Sequence, residues 1–309
     1  MPPRDEVIHS NVERVEVNGV ELAYDTFGGP SQPPILLIMG LGGQMISWHE
    51  DFCSRLAGRG FYVIRYDSRD AGLSTKMSGM PNVMGMINSW MQGEAPQEEV
   101  PYELADLAND AAGLSKALSL KSAHVVGISM GGMIAQYLAL RHPERVRSLT
   151  LISTTSSRLD LPRSQPEALQ AIMAAPTGDR EADIAQSVES GRVLNGDLPF
   201  DAEEEWEYRA RLYDRGSYPE GVARQLAAVF ARVWYDELPE LNVPALVIHG
   251  EKDPLIPLAH GEDLAATLPN ARLHVVANAG HNFPRPAWPE LVAAITQHVK
   301  AVERGSFST

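Results

Sequence analysis

The chain has 309 residues, 44% hydrophobic and 21% charged, with one cysteine and a formal net charge of −14. That balance suits a soluble globular protein with a sizeable core, and the acid excess argues against binding a nucleic-acid backbone, which needs clustered Lys and Arg. A lone Cys53 excludes an intramolecular disulfide or multi-cysteine metal site, and no apolar run approaches the roughly 20 residues of a membrane span.

Val12 to Val17 and Val20 to Thr26 flank Asn18-Gly19 and read as an N-terminal hairpin. Six further strands are expected at 35–39, 62–66, 123–128, 149–153, 245–249 and 273–277. Most are continuous apolar runs, the pattern of strands buried on both faces. Helices fit between them at 48–59, 102–118, 131–141, 261–268 and 289–301. Alternation of short β-branched runs with helical patterns specifies an α/β fold, a mostly parallel sheet flanked by helices. Cys53, in Phe52-Cys53-Ser54-Arg55-Leu56, reads as a buried structural thiol.

Two stretches interrupt the alternation. The first, 75–100, carries Met77, Met80, Met84, Met86, Met91 and Trp90. Methionine adapts to irregular apolar shapes, so this is either a lid lining an apolar pocket or a packing segment. The second, 154–241, lacks strand patterns and reads as several helices forming a cap. The expected organisation is a core at 1–153, a helical cap at 154–241 and the rest of the core at 242–309. Glu203-Glu204-Glu205 with Glu207 reads as a solvated helix face.

Gly127-Ile128-Ser129-Met130-Gly131 lies between a strand and a helix. Gly-x-Ser-x-Gly alone is a weak signal, but a serine on a sharp strand-to-helix turn is pushed out above the sheet. Serine needs a base within hydrogen-bond reach, itself oriented by an acid; where such a serine turn tops an α/β sheet, the chain order is Ser, then Asp or Glu, then His. His281 alone among the nine histidines follows the last strand and precedes the last helix; His249 is the second choice, and His298 reads as a surface residue. Asp253, in Gly250-Glu251-Lys252-Asp253-Pro254, is the expected acid, with an Asx-type turn as its structural alternative and Glu251 as the fallback.

An oxyanion needs two preorganised N–H donors. Met130 N–H, at a helix N-terminus, and Leu41 N–H, in Met39-Gly40-Leu41-Gly42-Gly43, are the candidates. Gly40-x-Gly42 with Asp67 partly matches a dinucleotide fingerprint, but the third glycine position falls on Met45, and Arg65-Tyr66-Asp67-Ser68-Arg69-Asp70 reads as a charge-paired turn.

These motifs, together with Tyr66-Asp67-Ser68-Arg69-Asp70-Ala71-Gly72-Leu73-Ser74-Thr75, resemble the α/β-hydrolase superfamily. The resemblance is closest to carboxylesterases and lipases of the aclacinomycin methylesterase type. It implies Ser129, Asp253 and His281 as a catalytic triad acting on a carboxylic ester by acyl transfer, without metal or organic cofactor. Where many relatives have His-Gly, this chain has Met39-Gly40, which keeps the backbone donor and loses a side-chain bond. Gly40, Gly42, Met84 and Trp90 are the expected substrate contacts, and the partner is a small, mostly apolar ester. Thioesterase, lactonase and perhydrolase-type haloperoxidase chemistry use the same triad; a non-catalytic small-molecule binding protein is the reading from another class. The N-terminus has no charged-then-apolar signal pattern, so a cytoplasmic location is expected.

Overall fold

The computed structural model describes residues 7–92 and 99–307. Eight strands form one sheet: β1 (Glu13–Val17), β2 (Val20–Phe27), β3 (Pro34–Ile38), β4 (Tyr62–Tyr66), β5 (Ala123–Ile128), β6 (Val146–Ile152), β7 (Ala245–Gly250) and β8 (Ala271–Val276). Their spatial order is β1-β2-β4-β3-β5-β6-β7-β8. β2 pairs antiparallel with β1 and β4, and every other pairing is parallel. Asn18 and Gly19 both have positive φ, 48° and 78°, as a two-residue hairpin turn with the twist of its strands requires.

Around the sheet lie α1 (Glu50–Ala57), α2 (Val83–Met91), α3 (Leu104–Ala117), α4 (Met130–Arg141), α5 (Pro166–Met173), α6 (Arg180–Val193), α7 (Ala202–Gly216), α8 (Pro219–Phe230), α9 (Leu258–Thr267) and α10 (Trp288–Glu303). Side chains of a strand alternate between faces, and β3 shows the consequence. Leu36 and Ile38 belong to the apolar cluster that takes in α3, α4 and α9, whereas Ile35 and Leu37 belong to the one that takes in α1 and α10. All five residues of β3 are buried, which is why the run carries no polar position.

The expected strands and helices are all present, with ends displaced by a few residues. β8 begins at Ala271 and not at 273; as an edge strand it leaves Leu273 and Val275 exposed on one face. Cys53 is fully buried. His298 corrects its surface reading: α10 turns it against the sheet, 1% exposed, with its ring 5.3 Å from that of Phe307. No helix among the described residues is long and apolar enough to cross a membrane.

The segment between β6 and β7 holds α5 to α8 and no strand. At the start of α7, Asp201 Oδ1 accepts from the N–H groups of Glu203 and Glu204, and acidic residues there oppose the positive end of the helix. Glu203, Glu204 and Glu207 are exposed, while Glu205 folds back onto Arg209. In the methionine-rich stretch, α2 packs against α8. Met86 is buried, whereas Met80 and Met84 are exposed.

The Arg65–Asp70 stretch is charge-paired, but its partners come from elsewhere in the chain. Arg65 binds Asp25, Asp67 pairs with Arg215, Arg69 clasps Asp110, and Asp70 clasps Arg224. This loop therefore ties the sheet to α3 and to the α7–α8 region at once.

Candidate active site

Sheet order reverses between β3, which is flanked by β4, and β5, which continues toward β8. Loops leaving the carboxyl ends of strands at such a point diverge and open a crevice. The glycine-rich loop leaves β3 there, and Ser129 follows β5. Ser129 has φ 54° and ψ −123°, a left-handed conformation costly for a residue with a side chain. Its N–H donates to the Ile152 carbonyl at 2.9 Å, and its own carbonyl accepts from Thr154 Oγ1 at 2.8 Å. α4 starts at the next residue. A Cβ on Gly127 would strike the Gly131 carbonyl, and one on Gly131 would strike that of Ile38. The turn is this tight only because both positions are glycine.

The loop after β3 lies directly against the serine: a Cβ on Gly40 would sit 3.1 Å from Ser129 Cβ and 3.6 Å from its Oγ. Within this loop Gly43 N–H donates to the Gly40 carbonyl, and Gly42 N–H donates to Gln225 Oε1. Among the described residues, neither Leu41 N–H nor Met130 N–H has a protein acceptor. Both residues line the cavity described below.

After β7, Asp253 makes both of its anticipated arrangements, one on each oxygen. Oδ1 accepts from Leu255 and Ile256 N–H at 2.9 Å each, an Asx-type turn, while Oδ2 faces His281 Nδ1 at 2.8 Å. Asp253 is 4% exposed. Burial alone would raise its pKa, but the His281 imidazole, neighbouring His249 and the turn N–H groups together hold it below the usual carboxylate range. Glu251 is exposed and accepts from Asn278 N–H, turned to a different task. His249 is fully buried with Nε2 on the Ile256 carbonyl, 2.7 Å away, and burial lowers its pKa. It lines no part of the cavity.

His281 sits between β8 and α10. With Nδ1 on Asp253, Nε2 is the other ring nitrogen, and His281 and Ser129 line the same cavity. The loop is held by the backbone after α6: His281 and Asn282 N–H both donate to the Leu194 carbonyl, and Gly280 N–H donates to that of Asn195. Nothing in the sequence pattern signals these bonds, because carbonyls carry no side-chain identity.

The cavity has a volume of about 970 Å³. Its floor is Leu41, Ser129, Met130 and His281; Val83, Met84 and Ile87 of α2 and Val222, Leu226 and Phe230 of α8 form apolar walls. Gly40 and Gly42 also line it, and the Trp90 side chain lies outside the described part. Tyr208 and Tyr213 on α7, and His260 and Thr155, line it too, with His260 Nδ1 2.8 Å from Thr155 Oγ1. Sequence reading missed these four. Three of the cationic wall residues are paired with carboxylates: Arg158 with Asp160 and Asp263, Arg209 with Glu205, and Arg232 with Glu237. Asp67 is buried beneath the loop, accepting from Met45 and Leu73 N–H, which disposes of it as a ribose ligand.

Comparison with known proteins identifies the fold and the family. A family model described as the alpha/beta hydrolase fold matches residues 33–284. Rhodomycin D methylesterase DauP of Streptomyces sp. (strain C5) is 30% identical over 306 residues, spanning 91% of this chain and 96% of that protein. The enol-lactonase of Burkholderia xenovorans superposes with a TM-score of 0.68 at 25% identity, over 94% of this chain and 100% of the other. A meta-cleavage product hydrolase of Pseudomonas fluorescens reaches a TM-score of 0.73 at 20% identity, over 93% and 97% of the two chains, a likeness of fold. This chain belongs to the α/β-hydrolase fold family.

Proposed function

We propose that this protein is a serine hydrolase of carboxylic esters, with Ser129 as nucleophile, His281 as base and Asp253 as the acid that orients it. The observation that carries the reading is one cavity shared by a serine on a positive-φ strand-to-helix turn and a histidine whose far nitrogen is held by a buried carboxylate. In the first step His281 Nε2 takes the Ser129 proton as Oγ attacks the ester carbonyl. Asp253 keeps Nδ1 protonated and balances the imidazolium charge; its depressed pKa keeps it ionised at neutral pH. Leu41 and Met130 N–H groups bind the oxyanion. The alcohol leaves with the proton carried by His281. Water, deprotonated by the same nitrogen, then releases the acid and restores Ser129.

The similarity to a methylesterase supports ester cleavage, and the cavity supports a bulky, mostly apolar acyl part. Helices α5 to α8, with α2, act as the cap over this cavity, and Met84 contributes to its wall. A lactone is the second reading, favoured by the enol-lactonase likeness; it needs no change in the triad, since a lactone is an internal ester.

Hydrolysis of p-nitrophenyl acetate, butyrate, octanoate and palmitate by the wild type and Ser129→Ala tests the reading. The expected result is turnover that rises beyond acetate and vanishes in the variant. Near-wild-type turnover by folded Ser129→Ala would overturn it.

A further inference from the structure

Gln225 is 1% exposed and reaches neither the cavity nor any reacting atom. Its amide joins two loops of the core. Oε1 accepts from Gly42 N–H at 2.8 Å, and Nε2 donates to the Arg69 carbonyl at 2.9 Å. Only this orientation of the amide satisfies both partners, because a backbone N–H needs an oxygen and a carbonyl needs an N–H.

The contact belongs to a face, not to one side chain. Val222 lies three residues earlier on α8, on the same side of the helix. A Cβ on Gly42 would sit 3.0 Å from Val222 Cγ2, and Gly42 has φ +65°. Glycine at 42 thus allows the loop both its left-handed bend and its passage beneath α8. The helix is itself fixed to the core. Arg224 donates two hydrogen bonds to the Asp70 carboxylate, at 2.8 and 3.0 Å, and Asp70 also accepts from Tyr102 Oη at 2.7 Å.

We propose that Gln225 is a positioning residue for the oxyanion loop: by occupying Gly42 N–H it fixes the neighbouring peptide so that Leu41 N–H is the donor left facing the cavity. This rests on the ester-hydrolase reading and adds to it. The cap, through α8, then sets the geometry of a group that binds the transition state. Without Gln225, Gly42 N–H loses its protein acceptor and the glycine-rich loop is free to rotate about its glycines. Loss of an oxyanion donor costs about 10²–10³ in kcat, and a loosened donor costs part of that.

The test is Gln225→Met, which keeps the side chain's length and removes both bonds. The expected result is kcat lower by about 10- to 100-fold with KM changed less than about three-fold, and affinity for a boronic acid, which forms a tetrahedral adduct on serine, reduced by a similar factor. Folding is followed by thermal melting. A folded variant with unchanged kcat and boronate affinity would overturn the proposal, as would a change confined to KM. If the variant fails to fold, amide hydrogen exchange of the wild type decides. Slow exchange at Gly42 supports the clamp, and exchange as fast as an open loop refutes it. A fluorophosphonate separates the two levels. No labelling of wild-type Ser129 defeats the hydrolase reading itself, whereas normal labelling with an unaffected Gln225→Met defeats only this inference.

Discussion

The serine turn and the histidine loop face the same cavity but are held in place by different means. Ser129 is fixed by its own strand, its own helix and the adjoining end of β6, through Ile152 and Thr154. His281 hangs on the segment after α6: the Leu194 and Asn195 carbonyls receive three N–H groups of its loop, and Asp197 N–H returns a fourth bond to Asn278. The serine turn is therefore a product of backbone geometry within the sheet. The histidine loop is a product of how the segment after α6 lies on the core. Changes just after α6 should reach the chemistry through the histidine, changes on α8 through the glycine-rich loop, and both should leave the serine turn standing.

The largest effects come from the groups themselves and set the scale for that contrast. Ser129→Ala should lower kcat by about six orders of magnitude with its melting temperature little changed or raised, since the strained φ remains but no contact in the core is lost. Asp253→Asn keeps an oxygen for the Leu255 and Ile256 N–H groups but presents an amide or a neutral acceptor to His281, so the imidazole loses its tautomer and its counter-charge. A fall of about 10⁴ in kcat is expected, with labelling of Ser129 by a fluorophosphonate slowed in parallel. Rapid labelling in Asp253→Asn would mean that His281 takes its orientation from the Leu194 carbonyl alone.

The contrast also explains what could be read in the sequence. Strands buried on both faces are unbroken apolar runs, so β3, β5 and β7 stood out, and the serine turn is written within five consecutive residues. Asp253 and His281 followed from chain order and from lying just past a strand. The bonds that hold the histidine loop did not, because they join carbonyls to N–H groups that every residue possesses. Gln225 was hidden for a related reason: a single glutamine in a helix looks the same whether it faces water or a buried N–H. His298 failed in the opposite direction. One polar residue on an amphipathic helix suggests a wet face, but Phe307 folds back beyond α10 and its ring meets the imidazole. The helical segment itself was legible only as several helices, since α6 and α7 have no fully apolar stripe and the partners of α7 are scattered over Glu50, Asp67 and Gln44.

Gly196→Ala attacks the histidine side of the comparison without touching a reacting group. Gly196 has φ +69°, and a Cβ there would fall 2.5 Å from Gly280 N and 2.6 Å from the Asn278 carbonyl oxygen. The strain alone is worth about 1–3 kcal/mol. More is relieved if the two segments part, which would carry His281 with them. Displacement of a catalytic group by about 1 Å can cost about 10²-fold, and a fall in kcat of that size is expected from a protein that still melts cooperatively. Unchanged kcat in a folded Gly196→Ala would show that the histidine does not depend on this attachment.

Thr154→Val makes the matching change on the serine side and should do the least. Valine keeps the branched shape that packs against Gly132, and it removes only the hydroxyl that donates to the Ser129 carbonyl. That carbonyl is not left bare: it also accepts from Gly132 N–H at 2.9 Å and from Met133 N–H at 3.3 Å, the opening bonds of α4. The hydrogen bond is worth about 1 kcal/mol, so the melting temperature should drop slightly and kcat/KM should change by less than about five-fold. The turn would then be held by strand and helix, with Thr154 as a minor brace. A loss approaching that of Gly196→Ala would mean that the serine turn depends on the Thr154 side chain as heavily as the histidine loop depends on Gly196, and the two halves of the site would no longer differ in kind.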